Sequence, residues 1–414
     1  MLQHVRPHRE GAPVIVLSDC LHHRGDMPCR PHKRLGVSCD ACHLYAPAGL
    51  RVLIVKLGAP GDVLRTTCIL PALRRLHPNA HVTWITRGGA VPLLEGNTSI
   101  DRVLTVESNY VEFLMSETFD LAINPDADHL SAAILTLVNA TAKRGFVTDG
   151  RGGLRPLSDS ARQWWHLGLD DTLKRQNRDT YGQWLYRICE LDGDVQRPLF
   201  RITRDDARMA GVFLGQVADR PGRRICVNTG ASARWAEKRW KVGHYLALLG
   251  LILRDEPDAS VILIGGPLER DLNAQLLNAD PRFIDGGTHS SVGYVAALLA
   301  AADWVLTPDS LCYHLATAVG TPAVCLVGPT APWELDRYDA NLVLHDDRDC
   351  IACYHATCPL SETCMDSLSA GHVWSAIQRS IDYSADQFQM RSAVMALDTQ
   401  AQERLGALRV RSVA

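Results

Sequence analysis

From Arg51 to Leu57 the chain is an almost unbroken aliphatic run, RVLIVKL, the pattern of a parallel strand covered on both faces. Gly58 and Gly61 then permit a sharp turn, and Val63, Leu64, Thr67, Leu70, Leu73 and Leu76 recur at helical spacing. Further strands are predicted at His81–Thr86, Arg102–Val106 and Asp120–Asn124, with a helix over Ser131–Ala142. Gln196–Arg204 carries Pro198 and no helical period, so it reads as a linker. A second series follows, with strands Ile225–Asn228, Val261–Ile264, Phe283–Asp285, Trp304–Thr307 and Ala323–Val327. Its helices are His244–Arg254, Glu269–Asn278, Val292–Ala301 and Tyr313–Val319.

Strand–helix alternation of this kind predicts an α/β fold of two Rossmann-like domains facing a central cleft at the carboxyl ends of their sheets. The expected divisions are a Cys/His-rich extension over 1–50, a first domain over 51–198, a second over 199–368 and a helical tail over 369–414. In the tail, Val373, Trp374, Ile377 and Ile381 keep helical spacing.

Composition narrows the function. The 414 residues hold 43 basic and 46 acidic side chains, a net charge of −3, so no global field favours nucleic acid. No signal-peptide-like region or long charge-free apolar window is visible, which points to a cytoplasmic protein and leaves room for peripheral contact with the inner face of the inner membrane. The 13 cysteines matter through placement. Cys20, Cys29, Cys39 and Cys42 precede the first strand, amid His22, His23, His32 and His43. Cys350, Cys353, Cys358 and Cys364 follow the last strand. A C-x-x-C pair offers two thiolates to one ion, so each cluster is a candidate for structural zinc or iron, against the plainer reading of reduced loops. Cys68, Cys189, Cys226, Cys312 and Cys325 fall in strand or helix patterns and read as small buried hydrophobes, Cys312 less plainly because of where it lies.

The chemistry centres on the first loop. Gly58-Ala59-Pro60-Gly61 lacks dinucleotide spacing, and Asp62 at the mouth of the helix would repel a pyrophosphate. Asp62 is either a helix cap, stabilised by the dipole by roughly 0.3–1 kcal/mol, or a general base. Asp126 and Asp128 form a D-x-D pair that could hold a divalent ion. In the second domain, 230–240 carries Arg234, Lys238 and Arg239, enough charge to hold a diphosphate. Asp309 and Ser310 end a strand and open a helix whose free N–H groups suit phosphate, and Gly328-Pro329-Thr330 ends the next strand.

These segments taken together resemble a known family. The RVLIVKLGAPGDVL opening, Lys238-Arg239-Trp240, the D-S-x-x-x-H-L-A-T-A-x-G-T-P run over Asp309–Pro322, Gly328-Pro329-Thr330 and the late C-x-x-C-x4-C-P-L-x3-C are similar to the bacterial heptosyltransferases of glycosyltransferase family 9, over roughly residues 51–380. The resemblance implies a GT-B architecture and an ADP-heptose-like nucleotide-sugar donor in the C-terminal domain. It also implies an acceptor on a lipopolysaccharide core, or on a related glycan or protein. By the family's pattern, Asp62 matches the proposed base, Lys238 the diphosphate contact, and Asp309 with Ser310 the donor-binding turn; Leu311, next in that turn, is a further donor-binding candidate. No cofactor is required by that scheme, an inverting single displacement. The chain differs from the pattern in having Leu311-Cys312-Tyr313 where Gly-Pro-Met is common, and in its cysteine-rich preface. The alternative is a non-catalytic GT-B binding or regulatory protein with a metal or redox cysteine module; a sugar-nucleotide epimerase is a third option.

Overall fold

In the computed structural model the described residues are 15–379, apart from 26, 109, 218–221, 232–236 and 339–340. Arg234 and the tail beyond 379 lie outside them. The aliphatic runs become strands because each is buried on both faces. β1 (Arg51–Val55) has its last four side chains fully buried, and it pairs in parallel with β2 (His81–Thr86) and β4 (Thr118–Asn124). With β3 (Arg102–Thr105), β5 (Asn139–Thr148) and β6 (Leu154–Pro156) they form a six-stranded sheet ordered β3-β2-β1-β4-β5-β6, parallel except for β6. Leu53, Val55, Ile85, Phe119, Ile134 and Leu135 lie in its core.

The second sheet repeats the order. β7 (Arg224–Asn228), β8 (Ser260–Ile264), β9 (Phe283–Asp285), β10 (Trp304–Pro308), β11 (Ala323–Val327) and β12 (Leu342–His345) run β12-β11-β10-β7-β8-β9, all in parallel. Both sheets therefore reverse direction beside their first strand, between β1 and β4 and between β7 and β10, the positions at which α/β sheets bind ligands. The second core holds Trp240, Tyr245, Trp304, Leu306, Val324 and Leu326. Val373, Trp374 and Ile377 of the helix at 370–379 join it. Trp374 Nε1 donates to Asp255 Oδ2 at 2.6 Å, so the start of the expected tail is part of this core.

Several elements differ from expectation, each for a local reason. The helix after the first loop is two helices, Pro60–Thr66 and Ile69–Leu76. The hydroxyls of Thr66 and Thr67 donate to the carbonyls of Asp62 and Leu64, at 2.6 Å each, offering the backbone a competing partner where the helix breaks. The helix expected over Ser131–Ala142 stops at Leu137, and Asn139–Thr148 pairs with β4 instead. Gly145 permits this pairing: its φ is +93°, and a Cβ there would collide with the Asn124 carbonyl. The compact units also do not follow a single cut at 198/199. Among the described residues, one holds 15–59, 68–165 and 185–196; the other holds 60–67, 166–184 and those from 197 to 379. Asp62 therefore belongs to the second unit.

No described helix is long and apolar enough to cross a membrane.

Candidate active site

At the reversal point of the second sheet, Asn228 ends β7 and Thr307 lies near the end of β10. The buried Asn228 amide donates to Thr307 Oγ1 at 2.9 Å and to Ser310 Oγ at 3.1 Å. Ser310 is the N-terminal flanking residue of the helix Leu311–Val319, yet its hydroxyl makes no capping bond; it stands 3.0 Å from Thr307 Oγ1. The plain reading of Ser310 as a cap is thus not what the structure shows. Its side chain braces the turn, and the first N–H groups of the helix are left to other partners.

Asp309 is the centre of charge. Lys238 Nζ lies 2.5 Å from Asp309 Oδ2, and the Thr330 hydroxyl donates to the same oxygen at 2.8 Å. Burial alone would push the Asp309 carboxyl up, but the charge and hydrogen bond of Lys238, with His314 and Thr330, hold it down at about 2. The pair is deeply placed, with side chains 9% and 16% exposed. Gly328 admits the cysteine loop to this turn: a Cβ there would lie 3.0 Å from Met365 Cγ and 3.1 Å from the Glu237 carbonyl oxygen. Arg239 is directed elsewhere, its Nη2 3.4 Å from Glu269 Oε1.

Asp62 reaches this unit on the helix Pro60–Thr66. It occupies the first turn of that helix, where its carboxylate forms an ion pair with Arg65. Gly61 is where this helix meets the helix Leu311–Val319, since a Cβ on it would lie 3.1 Å from His314 Cδ2. His314 is pushed down to about 4 by burial, with Arg65 adding to the effect, so it is neutral at physiological pH. Leu311 begins that helix, and Cys312 packs inside it as a small apolar group, its thiol pushed up to about 12 by burial. Tyr313 is also buried, its hydroxyl donating to the Asp336 carbonyl at 2.8 Å. These two bulkier residues are therefore absorbed by the core.

Asp126 and Asp128 do not pair around an ion. Asp126 forms an ion pair with buried Lys56 and accepts the Leu57 and Gly58 N–H groups at 2.9 and 3.1 Å, fixing the first loop. Asp128 caps the helix His129–Leu137.

The cysteine clusters divide. Cys20 lies in an isolated bridge to Pro47, Cys29 precedes the helix Arg30–Leu35, and Cys39 opens a single helical turn that Cys42 closes. Among the described residues no three or more His, Cys, Asp or Glu side chains form a ready ligand shell, in this extension or elsewhere. Cys350, Cys353, Cys358 and Cys364 nevertheless line one small cavity with His355. The Cys364 thiol is pushed up to about 11, by burial first and then by the neighbouring Cys353, Cys358 and Cys350.

Residues 110–363 match the family model described as glycosyltransferase family 9 (heptosyltransferase). The chain belongs to that family. Lipopolysaccharide heptosyltransferase 1 of Escherichia coli K12 is 25% identical over 313 residues, covering 70% of this chain and 92% of the relative. Two solved structures share the fold. A family 9 glycosyltransferase from Veillonella parvula is 19% identical with a TM-score of 0.67, covering 80% of this chain and 97% of the other. An E. coli heptosyltransferase solved with ADP is 19% identical with a TM-score of 0.55, covering 81% and 99%. The two Rossmann-like sheets are thus those of a GT-B glycosyltransferase of family 9.

Sequence reading passed over Arg65 and His314, and it named Asp126 only as half of a metal pair. Arg65 and His314 lay inside segments already singled out, with the signals of an acid–base pair three apart and of a histidine in the quoted run. Asp126 had no signal separating a loop anchor from a metal pair.

Proposed function

We propose that the chain transfers a heptose from ADP-heptose to a hydroxyl of a lipopolysaccharide core, by a single inverting displacement. Asp62 takes the proton of the acceptor hydroxyl as its oxygen attacks the anomeric carbon, and the bond from that carbon to the diphosphate breaks. Lys238 and the helix opening at Ser310 stabilise the departing diphosphate. The observation that carries this reading is the packing of the Asp62 helix, through Gly61, on the helix that follows Asp309 and Ser310. It brings an acid and a phosphate-binding turn into one compact unit. An ammonium has three N–H donors, so Lys238 can serve Asp309 and a phosphate oxygen together. Asp309, ionised throughout the physiological range, keeps that cation in place. The names of the relatives support the sugar and the acceptor, and the ADP of the solved relative supports the nucleotide.

The test is ADP release from ADP-heptose with a heptose-free lipopolysaccharide core as acceptor. Asp62→Asn removes the base and should lower turnover by about 10²–10⁴-fold, with ADP affinity nearly unchanged. Wild-type turnover in that variant would reduce Asp62 to a structural residue.

The four C-terminal cysteines are a candidate for a structural ion by donor type alone: their thiols line a single cavity with His355, and thiolates are what zinc or iron takes in tetrahedral sites, although the described residues show no assembled ligand shell. Such an ion would displace the thiol protons and pin the loop to the turn it touches, where the Tyr354 N–H donates to the Pro329 carbonyl at 2.8 Å. Its role is structural, and the transfer chemistry proceeds without it.

A further inference from the structure

We infer that Arg65 is a positioning residue for Asp62: its guanidinium, braced on Tyr181, holds the carboxylate in one orientation and in its charged form. The inference rests on the reading of Asp62 as the base.

The contact is more specific than a surface pair. Arg65 Nε donates to Asp62 Oδ1 at 3.0 Å, and Nη2 lies 2.8 Å from the same oxygen as an ion pair. Pairs three residues apart on exposed helices fluctuate, because both side chains remain solvated. Here the Arg65 side chain is only 16% exposed, and its Cζ lies 3.5 Å from the centre of the Tyr181 ring. The ring occupies one face of the guanidinium, so the group cannot swing away without losing a cation–π contact. The Nε hydrogen bond and the close Nη2 charge, both on one carboxylate oxygen, then restrict rotation of Asp62.

The surroundings show why a cation is needed. Asp309, Glu334 and Asp336 all act electrostatically on Arg65 or are acted on by it. Burial pushes the carboxyls of Glu334 and Asp336 up, and Arg65 pulls both back. Burial also opposes the Arg65 charge, but Asp62, Tyr181, Asp309 and Glu334 together outweigh it and raise its pKa. Lys238 is committed to an ion pair with Asp309, and neighbouring His314 is neutral near pH 7. Arg65 is a cation in direct contact with Asp62, and a guanidinium holds its proton at every working pH. It acts through charge and direction and takes no part in moving the proton.

Arg65→Gln and Arg65→Lys test this, read as ADP release from ADP-heptose between about pH 4 and pH 9, with heptose-free core or water as acceptor, alongside calorimetric ADP affinity. For Arg65→Gln, kcat should fall by about 10–100-fold and the acid limb of its pH profile should move up by about one unit, with ADP Kd within about twofold. Arg65→Lys restores charge without the planar fork, so the limb should return toward wild type while kcat stays several-fold low. An unmoved limb in Arg65→Gln, equal damage in both variants, or a matching loss of ADP affinity would each overturn the role. Asp62→Asn separates the two readings. If it retains wild-type turnover, the base assignment fails and takes the Arg65 role with it. If it is inactive while Arg65→Gln leaves the limb in place, only the Arg65 role fails. A wild-type chain that binds ADP but releases none from ADP-heptose overturns both.

Discussion

Replacing Lys238 with Ala should do two separable things. The first concerns stability. Asp309 is 16% exposed and counts Lys238 as its principal charge partner, with Thr330 as a neutral donor. Breaking a buried pair costs about 3–5 kcal/mol when one charge is left unpaired; partial access to water and the surviving Thr330 bond bring the expectation to about 2–4 kcal/mol. The second concerns the ligand. A charged hydrogen bond to a phosphate oxygen is worth about 1.5–3 kcal/mol, so ADP affinity should fall by about 10- to 150-fold. Denaturant unfolding measures the first effect and titration calorimetry the second. The double variant Lys238→Met/Asp309→Asn removes both charges together and should recover much of the stability while ADP affinity stays low. ADP affinity within twofold of wild type in Lys238→Ala would refute the assignment of this turn to the diphosphate, whatever happened to stability.

Two further outcomes follow from the second unit. Protein purified under reducing conditions without added metal should carry about one zinc or iron per chain, and Cys350→Ser/Cys353→Ser should lose it; under about 0.2 per chain in the wild type, or equal metal in both, would remove the C-terminal site. The same elemental analysis on Cys39→Ser/Cys42→Ser tests the N-terminal cysteines, whose separate placement leads us to expect no change. Trp374→Ala should destabilise the chain by about 3–5 kcal/mol, because Trp374 is buried in the second core and hydrogen-bonded to Asp255; a thermal midpoint within about 1 °C of wild type would show that the helix at 370–379 is dispensable.

The strands were legible because a buried parallel strand is a continuous aliphatic run: His81–Thr86, Phe283–Asp285 and Ala323–Val327 fall where the pattern placed them. Elements whose identity depends on a partner were not. Asn139–Thr148 has a polar start and an early helical spacing, and only the adjacent β4 makes it a strand. In the site, Lys238, Asp309 and Thr330 could each be named from turn position and resemblance. Their joint hydrogen bonding spans 71 and 21 residues of sequence, which no local pattern encodes. Asp126 shows the same limit, since a D-x-D reads alike whether it binds an ion or holds a loop. The division of the chain between two units was equally hidden, because segments 60–67 and 166–184 carry no composition that distinguishes them from their neighbours.

That division sets the order in which the protein can be made. The segment carrying Asp62 is synthesised early, but the helix against which Gly61 packs begins at Leu311. About 250 residues must leave the ribosome first, on the order of 10–50 seconds at ordinary elongation rates. Until then the second unit lacks a piece of itself, and its completion is a long-range closure of the kind that slows folding. A chain begun at Arg197 would hold all six strands of the second sheet, yet it would lack both 60–67 and 166–184. It would expose the face of the Leu311–Val319 helix that His314 presents to Gly61, and it would carry neither Asp62 nor Arg65. The second unit of this enzyme is consequently not a separable module, and a fragment cut at the apparent linker should be prone to aggregation even though its sheet is whole.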